Sequence, residues 1–314
     1  MPEIFRDAQQ AQGFVVSQTS NIEAGVYARR YPSYDYASMV PVVTQGNEWA
    51  RTTTFYSSDI VGQSQWISGS ANDVPYADVT RDKHEHAFAM RGIGYEWNLE
   101  EINVARMLGQ DLPSDKAMAA RRVAEAFLYS LATIGDTEKG WTGLFNDASV
   151  TAADVAADGT SSSKAWTAKT ADQILRDVND VLVGIHVDTN EVELADTLLL
   201  PTAQLLYIAK TRLSDNSDTT VLAFLRENNA YTVTTGRPLD IRGSRSLATA
   251  GTGGVTRGVA YWKNPDAVRF HMPMPFRFLP PYQKSSMSFE VAGIMRTGGV
   301  EIRLPGAVRY FDEF

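Results

Sequence analysis

Cysteine is absent from this 314-residue chain, which excludes disulfides, thiol catalysis and cysteine-ligated metals together while leaving the redox compartment open. Long apolar runs are missing as well. None approaches the ~20 residues needed to cross a bilayer, so no membrane partner is expected. The opening stretch, Met1 to Phe14, carries Glu3 and has no apolar centre, so it is not read as a signal peptide. Lysine is absent until Lys83. A basic excess is lacking too: the net charge is −8, and between Gly135 and Leu200 twelve acids oppose four bases. A nucleic-acid reader needs a basic face, because released counterions supply most of its affinity. Sequence-specific nucleic-acid binding is therefore excluded.

Motifs of catalysis are equally scarce. There is no GxSxG elbow. Gly251-Thr-Gly-Gly-Val-Thr-Arg257 has neither GxGxxG spacing nor the GK[ST] ending of a phosphate loop, and reads as a mobile loop tip. The acid pair Glu100-Glu101 sits where a helix would begin, and the helix dipole accounts for it. His84-Glu-His86 has the flavour of a metal site, since residues two apart share a strand face. The other histidines, His186 and His271, lie far away in sequence. A solvated or interface strand face is the better reading of the pair, so no metal, cofactor or catalytic residue is assigned.

What is present is ordinary bulk with one unusual tract. A chain with 44% hydrophobic and 21% charged residues has the composition of a folded protein, and this length permits one large domain or two modest ones. Phe270 to Tyr282 reads FHMPMPFRFLPPY, with Pro273, Pro275, Pro280 and Pro281 among Met272, Met274, Phe276, Phe278 and Leu279. Proline lacks an N–H and fixes φ, so the tract is neither a helix interior nor a central strand. Its large apolar side chains nonetheless need a surface to cover them.

Along the chain, residues 1 to about 40 read as an extended arm, and Thr44 to Thr80 as a projecting hairpin with strand pieces at Thr52–Tyr56 and Gln65–Ile67. His84 to Trp97 alternates as a strand. Asn98 caps a helix ending near Gly109. A second helix starts near Pro113-Ser114, with Ala117, Ala120, Ala124, Phe127, Leu128 and Leu131 at helical spacing, and stops at Gly135. Asp147 to Lys169 reads as a loop. Thr170-Ala-Asp-Gln173 is a capping box for a helix with Ile174, Val178, Val181, Leu182 and Ile185 on one face. Leu198–Leu200 is a short buried strand. Short helices follow near 203–212 and 219–228, and 248–258 reads as a flexible loop. Strands then come at 259–262, 268–270, 287–292, 300–304 and 307–311. The segment from about 167 to 264 forms a second lobe, which the chain leaves to complete the first.

Several stretches in this order resemble the major capsid proteins of tailed bacteriophages and prophages. They are Tyr31-Pro-Ser-Tyr-Asp-Tyr-Ala-Ser-Met-Val, Ala119-Ala-Arg-Arg-Val-Ala-Glu125, Trp262-Lys-Asn-Pro-Asp, HMPMPFRFLPPYQ and Pro305-Gly-Ala-Val-Arg-Tyr. The resemblance implies an α+β Hong Kong 97-type coat fold. Its parts would be an N-terminal arm (1–40), an extended loop (44–82), a peripheral domain (83–165 with 265–314) holding a spine helix from Ser114 to Thr133, and an axial domain (166–264). It implies a subunit without enzymatic activity that assembles with itself into hexamers and pentamers. These would close an icosahedral shell around double-stranded DNA, in a virion put together in the host bacterial cytoplasm. A scaffold (expected as a separate chain), a portal and a decoration protein are the further partners it suggests. The encapsulin-like compartment shell is the alternative within the same fold. Assembly contacts are expected at Tyr31, Tyr34, Tyr36, Trp49 and Trp66, at Gly251, Gly253 and Gly254 near the capsomer axis, and at Phe276, Phe278, Pro280 and Pro281. Some capsids of this fold cross-link through a lysine on the extended loop, and here that loop has none.

Overall fold

The computed structural model describes residues 32–66, 75–107 and 112–314, and every element below lies in the unit Tyr34–Phe314. Helix α1 (Tyr36–Met39) and strand β1 (Val42–Val43) come first. They correct the expected arm at its inner end, because Met39 and Val40 are buried in the body. The rest of that arm, Tyr31 included, falls outside the described residues. Strands β2 (Thr52–Val61) and β3 (Asp78–Ala87) form an antiparallel hairpin. The strand piece expected at Gln65–Ile67 is not one: Gln65 and Trp66 lie outside any strand, and Ile67 is not described. Only Phe88 separates β3 from β4 (Ala89–Asn98).

Asn98 then caps helix α2 (Leu99–Met107). Its side chain accepts from the Glu101 N–H at 2.9 Å, and the Glu101 carboxylate accepts from the Asn98 N–H at 3.4 Å, a reciprocal pairing that satisfies two helix-start donors. The end expected at Gly109 lies outside the described residues. Helix α3 (Leu112–Thr133) buries Ala120, Ala124, Leu128 and Leu131, the stripe that its helical spacing predicts. After it come β5 (Gly135–Asp136), β6 (Trp141–Thr142) and β7 (Thr151–Asp154). Helix α4 (Ala171–Asp188) opens on the capping box of Thr170 with Gln173. Strand β8 (Thr197–Pro201) leads into α5 (Thr202–Lys210), α6 (Val221–Glu227), α7 (Ala230–Thr235) and β9 (Asp240–Ser244). The last strands are β10 (Arg257–Tyr261), β11 (Val268–His271), β12 (Met274–Phe278), β13 (Tyr282–Ser285), β14 (Ser288–Thr297), β15 (Gly299–Ile302) and β16 (Val308–Asp312).

One five-stranded sheet, ordered β7-β16-β10-β8-β9, organises the interior. Side chains alternate across a strand, and here each side meets a different core. Leu199, Val259, Tyr261, Val308 and Tyr310 face a core built with α3, whereas Leu198, Leu200, Ala260, Ile241 and Phe311 face one built with α4. The sheet is thus a wall shared by the two cores. This corrects one expectation: residues 147–169 are not all loop, since β7 pairs in parallel with β16. Strand β16 also pairs with β10, so the sheet joins strands from 83–165, 166–264 and 265–314. β16 supplies the partner that leaves β7 no reason to remain a loop.

The proline tract splits. Phe270 and His271, upstream of its first proline, sit in the central strand β11, between β1 and β15. The proline-bearing part forms β12 and β13, which pair one after the other along the same side of β14, while β4 pairs along the whole of its other side. Exposed Pro280 and Pro281 fill the gap between them. Edge strands tolerate proline because the missing donor faces solvent, and a proline edge resists further pairing. Phe276 is half-buried on this sheet, and Gly293 makes room for it: a Cβ there would lie 2.5 Å from the Phe276 ring.

Candidate functional site

Most residues of the β2–β3 hairpin are exposed. Its strands pair from Thr52↔Ala87 at the root to Val61↔Asp78, so cross-strand neighbours share a face. One face carries Phe55, Ser57, Asp59, Val61, Asp78, Asp82, His84 and His86. The other carries Tyr56, Ser58, Ile60, Val79, Arg81, Lys83 and Glu85. Tyr56, Ile60, Val61 and Val79 are all exposed, Ile60 at 79%. Trp66, just past β2, is wholly in solvent. A monomer rarely leaves so much apolar surface together without a partner for it.

At its root the hairpin is tied to the body through histidines. His86 Nε2–H donates to the Gly298 carbonyl at 2.8 Å, and its ring stacks 5.0 Å from the ring of His271. His271 Nε2–H donates to Glu301 at 2.7 Å, and Arg303 Nε donates to the same carboxylate oxygen at 3.0 Å. The Arg303 guanidinium lies 3.8 Å from the Phe55 ring centre. Burial pushes the His86 pKa down, against the pull of the Gly298 hydrogen bond. Burial alone would raise Glu301, but the His271 hydrogen bond and the Arg303 charge outweigh it and hold the carboxyl at about 2. Nearby, Arg296 Nη1 donates to the Ala50 carbonyl at 2.8 Å with its guanidinium over Trp49, and Arg277 pairs with Glu48 at 3.0 Å. His84 takes no part in this cluster; it stacks on Phe55 and lies 3.0 Å from the Ser57 hydroxyl. His84 and His86 thus have different partners, and among the described residues no group of three metal-ligating side chains converges.

The expected assembly residues fall into separate places. Tyr34 and Tyr36 pack on their own subunit, against Tyr129 and Phe270. Trp49 sits by the hairpin root under Arg296. Phe276 and Phe278 meet edge to face, and Phe278 meets Tyr95. Residues 251–255 form a hydrogen-bonded turn: Gly251 N–H donates to the Val255 carbonyl and Gly254 N–H to the Gly251 carbonyl, both at 2.9 Å. Gly253 and Gly254 form its exposed tip, each at φ +82°, where side chains are strained. Gly251 is buried. The root cluster was not legible in sequence, because His86 and His271 meet only through the pairing of distant strands.

A second surface feature lies between α2 and α3. It is an open cleft of about 390 Å³ lined by Glu100, Glu101, Val104, Ala105, Leu112 and Lys116. Lys116 pairs with Glu101 at 2.9 Å, while Glu100 forms no ion pair among the described residues. Among the described residues no helix is long and apolar enough to cross a membrane.

Comparison with known proteins bears on what these surfaces serve. A sequence profile of the family described as "Major capsid protein" matches residues 62–314. No curated relative matches the chain by sequence. Solved structures share its fold. One, "The capsid of Myoviridae Phage XM1", is 17% identical with a TM-score of 0.79, covering 95% of this chain and 98% of that one. A chain from "Capsid of native GTA particle computed with C5 symmetry" is 12% identical with a TM-score of 0.63, covering 98% and 99%. A chain from Mycobacterium phage Bobi is 13% identical with a TM-score of 0.60, covering 98% of each.

Proposed function

Since the chain belongs to the major capsid protein family, a structural component of virions with the α+β Hong Kong 97-type fold, we propose that it closes an icosahedral shell from hexamers and pentamers of itself. The shell encloses double-stranded DNA without reading its sequence. The acidic stretch from Gly135 to Leu200 suits such a lining, because weak adhesion leaves packaged DNA free to move. Assembly takes place in the host bacterial cytoplasm, with scaffold, portal and decoration proteins as separate partners. The subunit carries no reaction of its own. The α3 side of the molecule with the β4–β14 sheet serves as the peripheral part, and the α4 side with the Gly253-Gly254 turn as the axial part. No feature favours the encapsulin-like alternative.

The observation that carries this reading is the family match across residues 62–314 on a chain whose hairpin exposes Tyr56, Ile60, Val61 and Val79. Negative-stain microscopy of the purified protein tests it. Closed shells or ring-shaped capsomers are the expected result, and a persistent monomer at high concentration overturns it. A second expected outcome concerns covalent chemistry. The first lysine, Lys83, stands midway along β3 opposite Tyr56, so the hairpin is not lysine-free as expected from the bounds 44–82. It pairs with Glu85 and no lysine precedes it, so boiled particles should run as monomer on a denaturing gel. A ladder of covalent multimers would show that stability comes from cross-linking instead.

A further inference from the structure

A buried lysine held between two carboxylates is an ion pair and also a set of reactants. Lys169 ends the 147–169 crossing just before the Thr170 cap of α4, and Asp177 lies further along that helix. Lys169 Nζ is 2.6 Å from Asp177 Oδ2, with the two side chains 0% and 1% exposed. Asp158 Oδ1 stands 3.2 Å from the same nitrogen, while Arg176 pairs with the other Asp158 oxygen. Gly159 lets this segment close on the lysine, since a Cβ there would lie 3.1 Å from Lys169 Cγ. The Trp166 indole N–H donates to Asp177 Oδ2 at 3.2 Å, and its ring packs with Phe311 and Phe314. A cavity of about 140 Å³, lined by Asp177 together with Ala153 and Tyr310, adjoins the carboxylate. Two ions so deep carry a desolvation cost that their attraction only partly offsets, and an amide between them would remove both charges.

We propose that Lys169 and Asp177 condense to an isopeptide bond within the chain, with Asp158 relaying the proton. A proton first passes from the ammonium to Asp177 Oδ2, leaving an amine beside a carboxylic acid, a neutral pair that a water-poor site accepts more readily than two ions. The amine lone pair then forms the Nζ–Cγ bond. Asp158 takes a proton from the bonded nitrogen and passes it to Oδ2, which the Trp166 N–H already contacts. The Cγ–Oδ2 bond breaks, water leaves by way of the cavity, and Oδ1 becomes the amide oxygen. No oxidant or cofactor is consumed. Reacting atoms held in contact supply the effective concentration that two free side chains would lack. The change happens once per chain and turns over no substrate. It staples the 147–169 crossing to α4 whether or not the chain assembles, and it links no two subunits.

Intact-mass spectrometry of the purified, denatured chain, sampled over days after folding, tests this. Wild type is expected to become lighter than its sequence requires by one water. Trypsin should then release a branched peptide joining residues 165–176 to 177–210. That product separates the bond from a succinimide at Asp158-Gly159, which loses the same mass without a branch. Lys169→Arg keeps a cation and should give no branch. Asp177→Asn should give the same branch with loss of ammonia in place of water. Asp158→Asn should slow the change about a hundredfold, with thermal melts confirming that it folds. A wild-type chain that keeps its full mass, or loses water without the branched peptide, overturns the proposal, and this readout needs no variant to fold. A folded Asp158→Asn chain that reacts at the wild-type rate overturns the relay.

Discussion

Asp177→Ala is expected to cost about 3–5 kcal/mol of folding stability, because it strands a buried cation. Lys169 Nζ lies 2.6 Å from Asp177 and 3.2 Å from Asp158, and the side chains of Lys169 and Asp177 are 0% and 1% exposed. The Trp166 indole N–H also donates to Asp177, at 3.2 Å, and Trp166 is wholly buried against Phe311 and Phe314. Water cannot replace the lost carboxylate there without disturbing the α4 core, and Asp158 alone holds the ammonium at the longer distance. Asp177→Asn keeps an acceptor for Trp166 and should lose less. Equilibrium urea unfolding of unassembled subunits followed by circular dichroism measures both. A loss under about 1 kcal/mol for the alanine variant would mean that Lys169 finds another partner.

The second large effect is a pH dependence centred on the hairpin root. Glu301 is held at about 2 against an ordinary 4.5. Its pKa is depressed in the fold, so its stabilisation is complete above 4.5 and is lost as pH falls from there through about 2. That window corresponds to roughly 3 kcal/mol. His86 is also depressed, by burial. The neutral ring is the one the fold accepts, so its contribution is present above 6.5 and declines as pH drops below that value. The groups facing this pair are His271, Arg303 and Arg269, whose charges already couple to Glu301. Glu301→Gln should lower stability at pH 7 and flatten the profile between 4.5 and 2, while His86→Phe should flatten the part just below 6.5. Guanidinium unfolding across this range measures the profiles. Parallel curves for wild type and Glu301→Gln would show that the carboxylate is not the linked group.

Elements fixed by local chemistry were legible in the sequence. The Thr170–Gln173 capping box, the Asn98 cap and the alanine stripe of α3 all act within a few residues, so spacing alone exposes them. Elements that exist only through distant pairing were not. β7 has no strong strand signal in Thr-Ala-Ala-Asp and forms because β16 lies beside it. Leu198–Leu200 announced burial but not that alternate leucines would enter two different cores. The tract at 270–282 gave its edge character through its prolines, while its first two residues belong to a central strand that those prolines do not touch. The root cluster shows the same limit. His84-Glu-His86 drew attention as a pair, yet the pleat that puts both on one face does not bring them to one partner. His86 meets His271, and His84 meets Phe55.

The near-continuity of β3 and β4 has a mechanical consequence. A pull on the hairpin is transmitted through Phe88 along β4, whose ten residues pair from Ala89↔Thr297 to Asn98↔Ser288 with β14. Force directed along a strand loads the bonds of such a ladder together, in shear, whereas force across it would open them one at a time. Failure in shear requires many bonds to yield at once, so rupture under load is governed by a high unfolding barrier more than by equilibrium stability. The hairpin is therefore anchored like a tension strap, with its grip spread over ten paired residues.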